Sequence, residues 1–183
     1  MLNIVSATKF EKSVSAIVEV KDASIRSCSL VRTNEGEIKV FAPTVPYTKK
    51  DGTKGYDRII VFKDLDAANK QAAELLENQD TAVKLFDTPT KTNIGDRIGY
   101  VTIKADCNLH VTVMLPTEDK EAALILPSRI AKNGDDDKGK KIYYVWPFAT
   151  TGDELKAEIK ELTDKILEVA KDYVPKAADE SAD

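Results

Sequence analysis

Ile38-Lys39-Val40-Phe41-Ala42-Pro43-Thr44 is an apolar run closed by a proline, followed by the basic, glycine-punctuated stretch Val45 to Arg58 and a second apolar run, Ile59-Ile60-Val61-Phe62. The pattern reads as strand, long lysine-rich loop, strand. It returns as Ala122-Ala123-Leu124-Ile125-Leu126-Pro127-Ser128, then Arg129 to Lys141, then Ile142-Tyr143-Tyr144-Val145-Trp146. A constant, gapless offset of 84 residues carries Asp22 to Asp106, Thr33 to Thr117, Glu37 to Glu121, Pro43 to Pro127, Asp51 to Asp135, Lys54-Gly55 to Lys138-Gly139 and Val61 to Val145. The sequence thus predicts an α+β protein made of two similar copies, each an antiparallel β-sheet plus helix, with the sheets joined or packed around a pseudo-twofold axis. The copies are residues 1–80 and 81–174, and residues 175–183 are an acidic tail expected to be disordered.

Working outward from this repeat, Leu2 to Thr8 reads as an edge strand. Val14, Ala16, Val18 and Val20 alternate with Ser15, Ile17 and Glu19, which suits a strand with one face buried, and Ala23 to Arg32 continues in the same style. Asn34-Glu35-Gly36 supplies a turn back into Glu37 to Ala42. Asp64 can cap a helix whose apolar stripe is Leu65, Ala68, Ala72, Leu75 and Leu76 and which ends near Asn78. The second copy repeats the order with strands at Ile98 to Lys104 and Leu109 to Leu115, a turn at Thr117 to Lys120, and strands at Ala122 to Leu126 and Ile142 to Trp146. Thr151 and Glu154 have capping-box spacing, and Leu155, Ile159, Leu162, Ile166, Val169 and Tyr173 follow as one seam of a helix ended by Pro175. That seam suits packing on the protein's own sheet, or self-association through Leu155, Ile159, Leu162 and Ile166.

Lysine and arginine number 27 against 31 aspartates and glutamates, a net charge of −4, so a site for a polyanion has to come from local clusters. No apolar run approaches the roughly 20 residues of a membrane-spanning helix, and the amino end lacks a signal-peptide pattern; a cytoplasmic location with no membrane partner is expected. Cys28 and Cys107 are too few for a disulfide framework and read as small buried side chains.

Catalysis finds little to work with. His110 is the one histidine, and the repeat sets Arg26 opposite it, as in an ordinary strand. With three Cys and His residues in all, a zinc site is short of ligands. Asp135-Asp136-Asp137 lacks the alternating spacing of a calcium loop and reads as a solvated tip. Gly52 and Gly55 do not open a helix, as a phosphate-binding turn would. No cofactor and no enzymatic activity are expected.

The positive clusters carry the functional signal. Lys49, Lys50, Lys54 and Arg58 lie among Tyr47 and Tyr56; Arg129, Lys132, Lys138, Lys140 and Lys141 precede Tyr143 and Tyr144. Cations neutralise phosphates and exposed tyrosines offer faces for unpaired bases, so the mixture suits single-stranded DNA or RNA. The plainer alternative is solubilising loop charge with tyrosines half in the core.

The two strand-loop-strand units also resemble the signature of the sporulation stage V protein G (SpoVG) family. The resemblance rests on Val40-Phe41-Ala42-Pro43-Thr44 with Asp51-Gly52, and more fully on Leu126-Pro127-Ser128-Arg129, Asn133-Gly134, Lys140-Lys141 and Val145-Trp146-Pro147-Phe148. It implies a bacterial module of antiparallel sheet plus helix that works as a dimer, binds DNA and RNA and regulates gene expression; here one chain would supply both halves of the dimer. Two functions follow. One is a non-enzymatic nucleic-acid-binding accessory or regulatory protein using both basic loops. The other is a protein-interaction or assembly module using the terminal helix seam and the acidic tail.

Overall fold

The apolar side of the first long strand changes phase twice: Val14, Ala16, Val18 and Val20, then Ala23 and Ile25, then Cys28 and Leu30, all of them buried. A strand can keep one face inward through such shifts only by bulging out one residue at each of them. The computed structural model of the chain describes residues 2–131 and 139–175, and it places these residues in one strand, β2 (Ser13–Thr33). Pairing slips between Val20 and Ala23 and again between Ile25 and Cys28. Asp22 (φ 49°) and Ser27 (φ 59°) take the left-handed conformation within the slips.

β2 pairs antiparallel along its whole length with β8 (Gly95–Met114). The two separate strands expected at 98–104 and 109–115 are therefore one. Alternation from Val101 to Val113 runs unbroken through Lys104 to Asn108, so nothing in that stretch turns the chain.

Shorter strands flank this ribbon. At one end β1 (Asn3–Lys9) lies outside β2, while β6 (Ile60–Phe62) and β9 (Ala123–Ile125) lie outside β8. At the other end β3 (Ile38–Phe41) lies outside β2 and β7 (Val83–Lys91) outside β8. β7 has no counterpart among the expected strands. Its residues are mostly exposed, so no apolar alternation marks it, and Pro89 falls where the pairing slips between Leu85 and Thr90, a place that tolerates a missing N–H.

The expected loop at 45–58 is a hairpin of β4 (Thr44–Thr48) and β5 (Lys54–Arg58), and β10 (Ser128–Ile130) with β11 (Lys141–Tyr143) forms a second. Pro43 falls between β3 and β4, and Pro127 between β9 and β10. After each hairpin the chain meets the long strand of the other half. Ile60 pairs with Leu109, and the Arg26 N–H donates to the Tyr144 carbonyl at 2.8 Å.

Helix α1 (Leu65–Glu77) starts as the sequence dictates, the Asp64 carboxylate accepting from the Ala67 N–H at 2.9 Å, and ends at Asn78. It packs on β3 and β8 through Ala68 and Ala72, whose small side chains allow close approach. Two amides pin it: Asn69 Oδ1 accepts from the Val40 N–H, and Gln71 exchanges two bonds with the backbone of Lys104.

Helix α2 (Gly152–Val169) covers β1, β2, β8 and β9. The Thr151–Glu154 capping box does not form. Gly152 takes φ 63°, and Thr151 makes no side-chain cap bond; the neighbouring Thr150 hydroxyl donates instead to Glu158 at 2.6 Å. The left-handed turn at Gly152 takes the backbone out of the geometry that a capping box needs.

The helix also stops six residues before Pro175. Lys171–Asp172 form β12, parallel to β1, and Tyr173 leaves the seam to stack on Phe10 with ring centroids 5.1 Å apart. Edge-strand pairing with β1 thus takes over from helical pairing. Along the seam itself Leu162 and Ile166 are buried in the chain's own core, with Leu155 and Ile159 packed against it. No helix among the described residues is long and apolar enough to cross a membrane.

Candidate nucleic-acid interface

The β4–β5 hairpin stands out from the body, and every residue of both strands except Gly55 is exposed. Its tip is fixed by chemistry that Asp51-Gly52 encodes. The Gly52 N–H donates to the Lys49 carbonyl at 3.0 Å with Gly52 at φ 82°, and Asp51 accepts from both the N–H and the hydroxyl of Thr53. Those bonds, the hydroxyl's first, hold the Asp51 carboxyl below its ordinary range. Lys49 and Lys50 are presented at this tip.

Strand periodicity sorts the rest. Thr48 pairs with Lys54, Pro46 with Tyr56 and Thr44 with Arg58, so Lys54, Tyr56 and Arg58 line one face at successive positions. Tyr56 is 63% exposed. Tyr47 pairs with Gly55 on the opposite face, its ring lying where a Cβ on Gly55 would be. The first cluster is thus an aromatic ring between two cations on one side and a second ring on the other.

The second cluster is held differently. Arg129 is half-buried, its Nε donating to the Ser27 hydroxyl at 3.3 Å across the body of the protein. Tyr143 packs against the core and against Trp146, with centroids 5.0 Å apart, and Trp146 meets Phe148 edge-on. Lys140 and Lys141 are exposed, while Lys132, Lys138 and the Asp135-Asp136-Asp137 tip lie outside the described residues, as does the tail from Lys176 onward. Burial raises the Tyr144 hydroxyl pKa, against the pull of the nearby Arg129. The hairpins leave from opposite edges of the ribbon, one beyond β3 and the other beyond β9.

His110 is a ladder residue opposite Ile17, with its Nε2 against the hydroxyl of Ser15 diagonally across the strands. Both cysteines are buried, and desolvation pushes Cys28 up to about 12 and Cys107 to about 11, so neither thiol is poised as a nucleophile. Among the described residues no three of His, Cys, Asp and Glu gather as a metal site.

One further cluster carries no signal in the sequence. Arg97, Phe86 and Tyr100 meet on the sheet face turned away from α1, the guanidinium 5.6 Å and 5.7 Å from the two ring centroids. Pairing of β7 with β8 creates it, and β7 had no periodic signal. No family model matches the chain, and no characterised protein and no solved structure is significantly similar to it.

Proposed function

We propose that the protein is a non-enzymatic nucleic-acid-binding accessory or regulatory protein that contacts single-stranded DNA or RNA through its basic hairpins, with β4–β5 making the principal contact. The observation that carries this reading is the face Lys54–Tyr56–Arg58, an exposed ring with a cation on either side, on a hairpin whose tip adds Lys49 and Lys50. Four cations there face two carboxylates, Asp51 and Asp57, in a molecule that is acidic as a whole. Phosphates are drawn to such a local excess, and the ring gives an unpaired base a surface to stack on. Lys140 and Lys141 of the second hairpin add to it.

The reading extends to the architecture: the chain is a tandem duplication folded as a single-chain pseudo-dimer, in keeping with its resemblance to the SpoVG family. The 84-residue offset supports this. So does the order strand, long strand, strand, hairpin, crossing segment, helix, which occurs twice. Asp22 and Asp106, aligned by the offset, meet at the middle of the β2–β8 ladder, where the Asp22 N–H donates to Asp106 Oδ1 at 2.7 Å. A twofold axis through the ribbon would pass there.

The test is binding of labelled single-stranded DNA, duplex DNA and RNA at two salt concentrations, with the Lys49→Ala/Lys50→Ala/Lys54→Ala variant alongside. Single strands should bind best, and each lost phosphate contact should remove roughly 0.7 to 0.9 from the logarithmic salt slope. Absence of binding at low salt, or a full slope in the variant, overturns the reading.

A further inference from the structure

Across the end of the sheet where β3, β2, β8 and β7 lie side by side, Phe41 pairs with Ser29, Ser29 with Tyr100 and Tyr100 with Lys84. Directly paired residues point to the same side of a sheet. The next row, Val40, Leu30 and Gly99, turns the other way, with Val40 and Leu30 buried in the core. The Phe41–Lys84 row therefore belongs to the face that neither α1 nor α2 covers. Phe41 is 43% exposed and Tyr100 38%, with only the small Ser29 between them.

Beside Tyr100, the guanidinium of Arg97 lies over the rings of both Phe86 and Tyr100. Its Nε has no hydrogen-bond partner among the described residues. Among the described residues the rings rather than a carboxylate hold this cation, which leaves its charge uncancelled by them at the edge of an aromatic floor.

We propose that this sheet face is a second, separate binding surface that receives the bases of a single-stranded nucleic acid: Phe41 and Tyr100 stack two bases, and Lys84 and Arg97 take the adjoining phosphates. Charge complementarity selects the occupant. An apolar protein partner would leave Lys84 and Arg97 facing it without counter-charge, whereas a single strand supplies flat faces for the two rings and anions for the two cations. Stacked bases in duplex form have no free faces to offer, so duplex is excluded from the floor. The proposal rests on the nucleic-acid reading for its ligand class but not on the hairpins for its site.

Anisotropy titrations of the full chain with labelled oligo-dT and with blunt duplex DNA test it, using Tyr100→Ala, Phe41→Ala, Tyr100→Phe and the triple lysine variant of the hairpin. Tyr100→Ala and Phe41→Ala should each weaken oligo-dT binding roughly five- to a hundred-fold while leaving the salt slope and weak duplex binding as they were. Tyr100→Phe, which keeps the ring, should bind as the parent does. Ultraviolet cross-linking of the unaltered protein to oligo-dT should place the adduct on the β8 peptide containing Tyr100, independent of how any variant folds. Full affinity in both alanine variants, or cross-links confined to Tyr47 and Tyr56, overturns the sheet-face site and leaves the hairpin reading standing. Loss in the alanine variants with a full salt slope in the lysine variant supports the sheet face and overturns the hairpins; no binding of any oligonucleotide overturns both.

Discussion

Three glycines and two thiols show how a single residue's surroundings fix its worth. A Cβ on Gly99 would collide with the backbone of Lys84 and Leu85 in β7, whereas one on Gly55 would meet only the ring of Tyr47. Backbone in a sheet has nowhere to go, while a ring on an exposed hairpin can swing aside. Gly99→Ala should therefore cost about 1–3 kcal/mol, as overpacking does, and Gly55→Ala should leave thermal stability nearly unchanged while releasing Tyr47, visible as a changed tyrosine environment by NMR. Gly95, at φ 153° and against the Arg32 carbonyl, belongs with Gly99. The buried thiols give a pH prediction. Their folded pKa values are raised above the ordinary value of 9.0 by desolvation, so the unfolded chain gives up these protons first. Their contribution is complete below about pH 9 and lost as pH climbs toward the folded values of about 11 and 12. Chemical denaturation should show the native protein losing stability from about pH 9 toward about pH 11, between the unfolded and folded thiol values, faster than a Cys28→Ala/Cys107→Ala variant does; parallel curves would sink the idea. Burial of both cysteines was readable because two are too few for a disulfide framework and a free cysteine is usually buried, but the tight glycine at 99 was not, because its neighbour belongs to a strand with no sequence signature.

At the level of elements, helices were legible where a local signal and a tertiary demand agreed. Asp64 looks like a cap and is one, but Thr151 has the better motif and makes no cap bond, because Gly152 turns left-handed just after it. Replacing Asp64 by Ala should cost about 1 kcal/mol, and replacing Thr151 by Ala should cost close to nothing by the same measure; equal losses in paired thermal melts would contradict the geometry. Likewise the seam periodicity of α2 holds through Ile166 and fails at Tyr173, where pairing with β1 and stacking on Phe10 win over another helical turn. Strands were legible by their buried face alone. β2 and β8 announce themselves through alternation, but their length was hidden: the bulges at Asp22 and Ser27 look in sequence like a break in phase, and the polar Asp106 and Asn108 fall between the strands expected at 98–104 and 109–115. Of the candidate site, the Asp51-Gly52 tip and its lysines were readable from turn chemistry. That Arg129 is tied to the body was not, since its partner Ser27 lies far away in sequence and meets it only through the crossing of the chain.

For the whole molecule, the decisive feature is that neither half closes on itself. The central ladder joins β2 from one half to β8 from the other, β6 crosses to β8, and the segment at Tyr144 crosses to β2. Ile25 and Ile103 pair at the heart of that ladder with no exposed surface at all, and the apolar face they belong to is one continuous core. A boundary near residue 80 is thus a boundary in sequence without being one in the sheet. The only covalent link between the halves runs through the exposed residues Asn78 to Thr81 between α1 and β7. A protease site inserted between Asp80 and Thr81 should be cut readily, and the two pieces should then remain together, eluting at the size of the intact chain and melting in one transition. Each piece made alone should lack that transition, because it would expose one whole edge of a strand of about 20 residues and the apolar face beside it. Mixing the separate pieces should restore it. Ile25→Ala and Ile103→Ala, each expected to cost about 2–5 kcal/mol, should then weaken reassembly by less together than the sum of their separate effects, since each opens the same cavity across the ladder. Two independent melting transitions, or cut pieces that part on a sizing column while staying folded, would show instead that the halves are separable domains.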